Sequence, residues 1–151
     1  MQELGRGFYY NDLEVGQTFK TIGRTIFEGD IINFVGVTGM QELLFTNLEY
    51  IRDESPTGKR IAPAVLVLAI AEGLVMAVTL QRTGMAFLGM DLDMKGPVVA
   101  GDTIHVELEV TEVRPASKGN RGLVRTRNSV VNQRGETVMV YSPLRMMKGR
   151  E

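Results

Sequence analysis

Residues 61–80, IAPAVLVLAIAEGLVMAVTL, carry a single charge, at Glu72, and are otherwise almost wholly apolar. Wound as a helix, the run is apolar on every side, and such a helix has to be enclosed by lipid or by protein. Its length alone allows a membrane span. Three features favour a buried helix of a soluble protein. Pro63 suits a first helical turn, where its missing N–H costs nothing. Glu72 and Gly73 fall mid-segment, and a carboxylate at bilayer depth costs about 2.5–3.5 kcal/mol. The segments downstream read as strands, none long or apolar enough to face lipid. The run therefore predicts an enclosed helix and demands a sheet large enough to wrap it.

That sheet is legible after Gly84, where the apolar period changes to two. In AFLGMDLDM, Leu88, Met90, Leu92 and Met94 fall on one face, and Phe87, Gly89, Asp91 and Asp93 on the other. In TIHVELEV, Ile104, Val106, Leu108 and Val110 alternate with His105, Glu107 and Glu109, the pattern of a half-buried antiparallel strand. The loops PASKGN and NQRGE then separate GLVRTRNSVV and TVMVYSPLRMM as hairpin-linked strands. Upstream, the β-branched and aromatic stretch TFKTIGRTIF (18–27) reads as a first strand. Ile31, Phe34, Val35 and Val37 then recur at helical spacing, with Glu28 and Asp30 at the positive helix start and Gly39 at its end. TNLEYIRDESPTGKR offers a polar helical turn or two before a Ser-Pro-Thr-Gly break. The expected fold class is α+β, a curved antiparallel sheet closing around one long helix.

Composition narrows the function classes. One domain over residues 1–151 is the natural reading, with 44% hydrophobic and 23% charged residues. A formal net charge of −1 supplies no field for nucleic acid or an anionic membrane. With no cysteine and one histidine, disulfides and thiolate nucleophiles are excluded, and a metal site is not expected. The first residues carry no apolar core of signal-peptide type, so a cytoplasmic location is expected.

Four landmarks, in order, carry a resemblance to a known family: DLEVGQ (12–17), EGDIINFVGVTG (28–39), GKRIAPAVLVLAIAEGL (58–74) and GPVVAGDTI (96–104). Together they resemble the MaoC-like, (R)-specific enoyl-CoA hydratases of the hotdog fold, over about residues 8–147. The resemblance implies a dimer in which two sheets join, with acyl-thioester sites at the interface. It implies acyl-CoA or acyl-carrier-protein thioester substrates, no cofactor beyond the coenzyme A of the substrate, and a lyase of fatty acid metabolism. It also implies an Asp and a His, five positions apart, that activate water for addition to the enoyl double bond.

At that motif the chain departs from the pattern. The segment reads TGMQELLFTNLEY: Thr38 and Gly39 match, Met40 takes the Asp position, Glu42 an Asn position, Phe45 the His position, and Asn47 a position where Asp is common. Neither a thioether nor a phenyl ring moves a proton. Glu42 is the one proton-transferring side chain in the segment. Set beside Met40, Leu44 and Phe45 it would be partly desolvated and suited to general-base work; the alternatives are a solvated loop residue or a partner of Arg60. At the long helix's start the family's His-Gly reads Pro63-Ala64, and the Ala64 N–H remains free to hold a thioester carbonyl, with a Cβ crowding the approach that glycine leaves open; the alternative is a helix start with no ligand. Arg60, with Lys59, is a candidate for coenzyme A phosphates, as are Lys118 and Arg121. His105 reads as a surface residue, Asp91 and Asp93 as a solvated or dimer-face pair, and Arg125 and Arg127 as partners for Glu107 and Glu109. Glu72, if ionised and buried, needs a partner.

Three functions fit these residues. They are a divergent hydratase or dehydratase using Glu42, a non-catalytic acyl-binding or partner subunit (with a second copy or a catalytic homologue), and a thioesterase on the same scaffold.

Overall fold

A computed structural model describes all 151 residues. After a 3-10 turn at Tyr10–Asp12 come β1 (Thr18–Lys20), β2 (Arg24–Thr25), α1 (Glu28–Thr38), α2 (Leu43–Thr46), α3 (Leu48–Glu54) and α4 (Ala64–Thr79). Four long strands follow: β3 (Gly84–Met94), β4 (Thr103–Pro115), β5 (Arg121–Val131) and β6 (Thr137–Lys148). Every pairing is antiparallel, the order is β1-β4-β5-β6-β3, and β2 pairs separately with β4. The alternation of β4 is realised in full: Ile104, Val106, Leu108 and Val110 are buried beneath α4. From the helix, Leu66, Val67, Ala71 and Val75 meet them, together with Val130, Met139 and Tyr141. The α+β expectation of one long helix on an antiparallel sheet is met.

Three expectations are corrected. The helix is not enclosed on all sides. Val65, Ala69, Gly73 and Met76 fall on one stripe and are exposed, because a single sheet covers only one flank of a cylinder. The first strand is not continuous. Thr21 donates its N–H to Val106 O and accepts the Val106 N–H on its own Oγ1 (both 2.9 Å), and this side-chain substitution for a ladder bond splits 18–27 into β1 and β2. In β3 the register against β6 slips between Phe87 and Gly89, leaving Leu88 as an extra residue. Phe87, Met90, Leu92 and Met94 consequently stand opposite Arg145, Pro143, Tyr141 and Met139, alternate residues of β6. Phe87 therefore shares the helix side of the sheet with Met90, Leu92 and Met94, not the side of Asp91 and Asp93.

The chain ends are tied to this frame. Gly7 and Phe8 donate N–H groups to Gln81 O and Thr79 O (both 3.0 Å), holding the N-terminal segment against the end of α4. Arg150 pairs with Asp12 at 2.8 Å. Phe8, Tyr10 and Leu13 then cover a second, smaller apolar cluster around Val110, Val124 and Met147.

Candidate functional site

The segment from α1 to α3 is set by local capping. Asp30 accepts the Phe27 N–H at 2.8 Å and pairs with Arg24 at 2.8 Å, fixing the start of α1. The Phe27 N–H, and beyond it the Arg24 cation, hold the Asp30 carboxyl below the usual carboxylate range. Its part is to start the helix. Gly39 closes α1 at φ +72°, a left-handed value that glycine takes without strain, and donates to Val35 O at 2.9 Å. The chain then turns through Met40 and Gln41 to Glu42, the residue preceding α2.

The sequence-predicted residues of this segment have distinct fates. Met40 is exposed at its edge, while Phe45 is half-buried and packs on the main core cluster that also holds Ala62 and Leu66. Glu42 is exposed, so within its own chain it is not desolvated by Met40, Leu44 and Phe45. Arg60 pairs with Glu28 at 3.1 Å rather than with Glu42. Asn47 accepts the Tyr50 N–H at 3.0 Å on Oδ1 and so serves as the N-cap of α3. Arg60 and Lys59 line a cleft of about 250 Å³ with Glu28, Leu48 and Ile51.

The start of α4 is held from the β3–β4 loop. Ala62 donates to Val98 O at 2.7 Å, Ala100 donates to Arg60 O at 3.4 Å, and Ile61 bridges Val99. Pro63 is buried at the N-cap, and no side chain caps the first turn. Ala64 and Val65 are exposed. First-turn N–H groups have no acceptor within a helix, and the dipole adds partial positive charge there. An oxygen that gains negative charge, such as the carbonyl oxygen of a thioester under attack, is stabilised in that position.

Sequence reasoning missed the polar centre beneath α4. The Glu72 carboxylate accepts the Tyr141 hydroxyl at 2.8 Å and pairs with the Arg145 guanidinium through both oxygens. Tyr141 is fully buried, and burial, then the Glu72 charge, push its phenol well above the usual range. Arg145 also lies over the Phe87 ring at 5.7 Å. Asn128, directly opposite Tyr141 on β5, is fully buried beside it. Glu72 thus finds the partner it needs, from residues 69 and 73 positions away that no local pattern could announce.

Elsewhere, His105 contacts Glu107 at 3.0 Å on the outer sheet face. Arg125 pairs with Glu112 at 3.5 Å instead of Glu107 or Glu109, because Thr111 bulges from β4 and shifts the register. Arg127 stands opposite Glu109 without forming an ion pair. Asp91 and Asp93 are exposed on the edge strand, and no group of three or more acidic or histidine side chains is placed to hold a metal ion. No helix is long and apolar enough to cross a membrane.

Comparison with known proteins bears on this geometry. The family described as "FAS1-like, dehydratase domain region" matches residues 14–141. A 3-hydroxybutyryl-CoA dehydratase of Methylorubrum extorquens is 28% identical over 116 residues, covering 77% of this chain and 72% of that protein. The crystal structure of the MaoC-like dehydratase from Rhodospirillum rubrum superposes with a TM-score of 0.82 at 26% identity, over 96% of this chain and 99% of that one. A Mycobacterium tuberculosis protein with a double hotdog fold matches with a TM-score of 0.81 at 23% identity, over 99% of this chain and 46% of that one, and shows the fold alone. The rod-and-sheet architecture is a hotdog.

Proposed function

The chain belongs to the FAS1-like dehydratase-region family of MaoC-like hotdog proteins, and from that premise we propose that it handles acyl thioesters as a cytoplasmic hydratase or dehydratase. The thioester is carried on coenzyme A or on an acyl carrier protein, and no cofactor takes part beyond that carrier. The observation that carries the reading is the uncapped start of α4, with Ala64 and Val65 exposed. There the Ala64 N–H donates to the thioester oxygen as negative charge develops on it, while Pro63 and the backbone bonds to Val98 and Ala100 fix its position. Arg60 lines the cleft beside Glu28, Leu48 and Ala100, four residues before Ala64, and Asn47 caps α3 at its edge.

With Met40 and Phe45 where the resemblance puts the Asp and His, proton transfer falls to Glu42. Its exposure in the single chain makes a second subunit necessary to desolvate it. The open stripe on α4 and the unpaired edge of β3, where Phe87, Leu92 and Met94 are exposed on the helix side, form one apolar face. A second copy laid antiparallel along β3 would continue the sheet and cover that face.

The test is a hydration assay with crotonyl-CoA. Wild-type protein turns over and Glu42→Gln loses on the order of 10²-fold or more in rate; an unchanged rate removes Glu42 as the base. Tight binding of butyryl-CoA together with no hydration of crotonyl-CoA points instead to an acyl-binding or partner subunit, a reading favoured by the two apolar residues at the dyad positions. Release of free coenzyme A thiol over time identifies a thioesterase.

A further inference from the structure

Asp102 closes the β3–β4 loop and is 3% exposed, yet it belongs to no part of the site described above. Its Oδ2 accepts the Val99 N–H at 3.0 Å and its Oδ1 accepts Gln133 Nε2 at 2.7 Å, with Arg134 Nη1 at 3.5 Å. Gln133 cannot turn its amide over, because its Oε1 accepts the Thr103 N–H at 3.0 Å. The loop so fixed reaches two other segments. Asp102 O accepts the Ile26 N–H at 2.8 Å and Gly101 donates to Ile26 O at 2.7 Å, immediately before α1. Val98 O accepts the Ala62 N–H at 2.7 Å and Ala100 donates to Arg60 O, immediately before α4.

One carboxylate therefore ties the β5–β6 turn to a loop that sets the origins of both α1, which leads to Met40 and Glu42, and α4, which begins at Ala64. We propose that Asp102 is a positioning residue, which holds the α4 N-terminus and the α1 origin in the mutual placement that a thioester carbonyl requires. The link to thioester binding rests on the function proposed above; the mechanical tie does not. The loop spans residues 95–102, several of its backbone groups bond to its neighbours, and Asp102 is its one buried charge. Although burial opposes it, the hydrogen bonds from Gln133 and the Val99 N–H and the Arg134 cation hold the Asp102 carboxyl below the usual range, so it is an acceptor at neutral pH.

The polarity of the network supplies the test. In Asp102→Asn, the new amide can still accept the Val99 N–H, but its NH2 then faces the NH2 of Gln133, which Thr103 prevents from turning. Adding Gln133→Glu reverses that contact: the Asn donates, the Glu accepts, and the Thr103 N–H keeps an acceptor. Net charge is unchanged. The measurements are hydrogen exchange at the Ile26 and Ala62 amides and the Kd for butyryl-CoA, on Asp102→Asn, on the double variant, and on Gln133→Ala. This last removes both bonds of an exposed side chain, the one to Asp102 and the one from the Thr103 N–H, and keeps the test alive if Asp102→Asn fails to fold.

The expected result is exchange at both amides at least tenfold faster in Asp102→Asn and severalfold faster in Gln133→Ala. Butyryl-CoA binding weakens about tenfold in Asp102→Asn, and both effects revert in the double variant. A merely structural role would change stability and exchange, and both would revert in the double variant, but the butyryl-CoA Kd of the folded protein would not move. Unchanged exchange at Ile26 and Ala62, or loss without restoration, overturns the proposal. Restored exchange without any change in affinity overturns its functional half. Failure of the wild-type protein to bind butyryl-CoA strikes the proposed function instead, and the exchange measurement still decides the tie.

Discussion

The side chains that depart from ordinary surface or core behaviour are Glu72, Arg145 and Asp102. Removing one partner of a buried ion pair leaves the other charge uncompensated and costs about 3–5 kcal/mol, whereas replacing both with apolar groups is often neutral. Arg145→Ala should therefore lower the unfolding free energy by several kcal/mol in a urea titration, and Glu72→Leu with Arg145→Met should recover most of it. Tyr141→Phe should cost less, about 1.5–3 kcal/mol, since it deletes one hydrogen bond to a charged acceptor. Asp102 makes a pH prediction. Its native carboxyl titrates below its unfolded value, so its contribution is complete above about pH 4 and fades as pH falls through the lowered native value. Thermal melts of Asp102→Asn should accordingly show a weaker fall in Tm below pH 4 than wild type. None of these partnerships was legible in the sequence: Glu72 announced a need, but its answer lay on β6, the fourth strand after its own helix.

Among the elements, β4 was legible because its period-two pattern matches a sheet with one dry face, and β5 and β6 because the loops PASKGN and NQRGE bound them. The bulge at Leu88 was not, since an extra residue leaves composition unaltered and shifts only the register. The break within 18–27 was hidden for a similar reason, Thr21 being as good a strand residue as a side-chain acceptor. The lead-in is another case of contact that sequence cannot show. A Cβ on Gly7 would sit 2.2 Å from Thr79 O, and one on Gly122 2.3 Å from the Tyr10 ring, so both glycines permit close approach of the N-terminal segment. Gly7→Ala should destabilise the protein by about 1–3 kcal/mol, read as faster exchange at the Phe8 amide and a lower Tm. The edge strand makes its own prediction: Leu92→Lys, on the exposed helix-side face of β3, should shift sedimentation toward the monomer while leaving the far-ultraviolet spectrum unchanged.

For the molecule as a whole, the long apolar run sufficed for the architecture, because an enclosed rod needs a wrapping sheet and the strands to form it were visible. It overstated the enclosure, because no single-chain pattern says how many layers cover a helix. The site was legible as positions rather than as geometry. Met40, Phe45 and Ala64 could be placed by resemblance, but the exposure of Glu42 and the capping role of Asn47 follow from folding. Installing Met40→Asp and Phe45→His together should raise crotonyl-CoA hydration by on the order of 10²-fold if only the proton-transferring pair is missing. Phe45 packs on the core, so the same variant should melt a few degrees lower. The uncovered flank of α4 and bare edge of β3 have a last consequence. If folding and pairing of two chains are one equilibrium, each tenfold dilution subtracts about 1.4 kcal/mol from the assembled state. The melting temperature would then climb with protein concentration, and durability would belong to the solution as much as to the polypeptide.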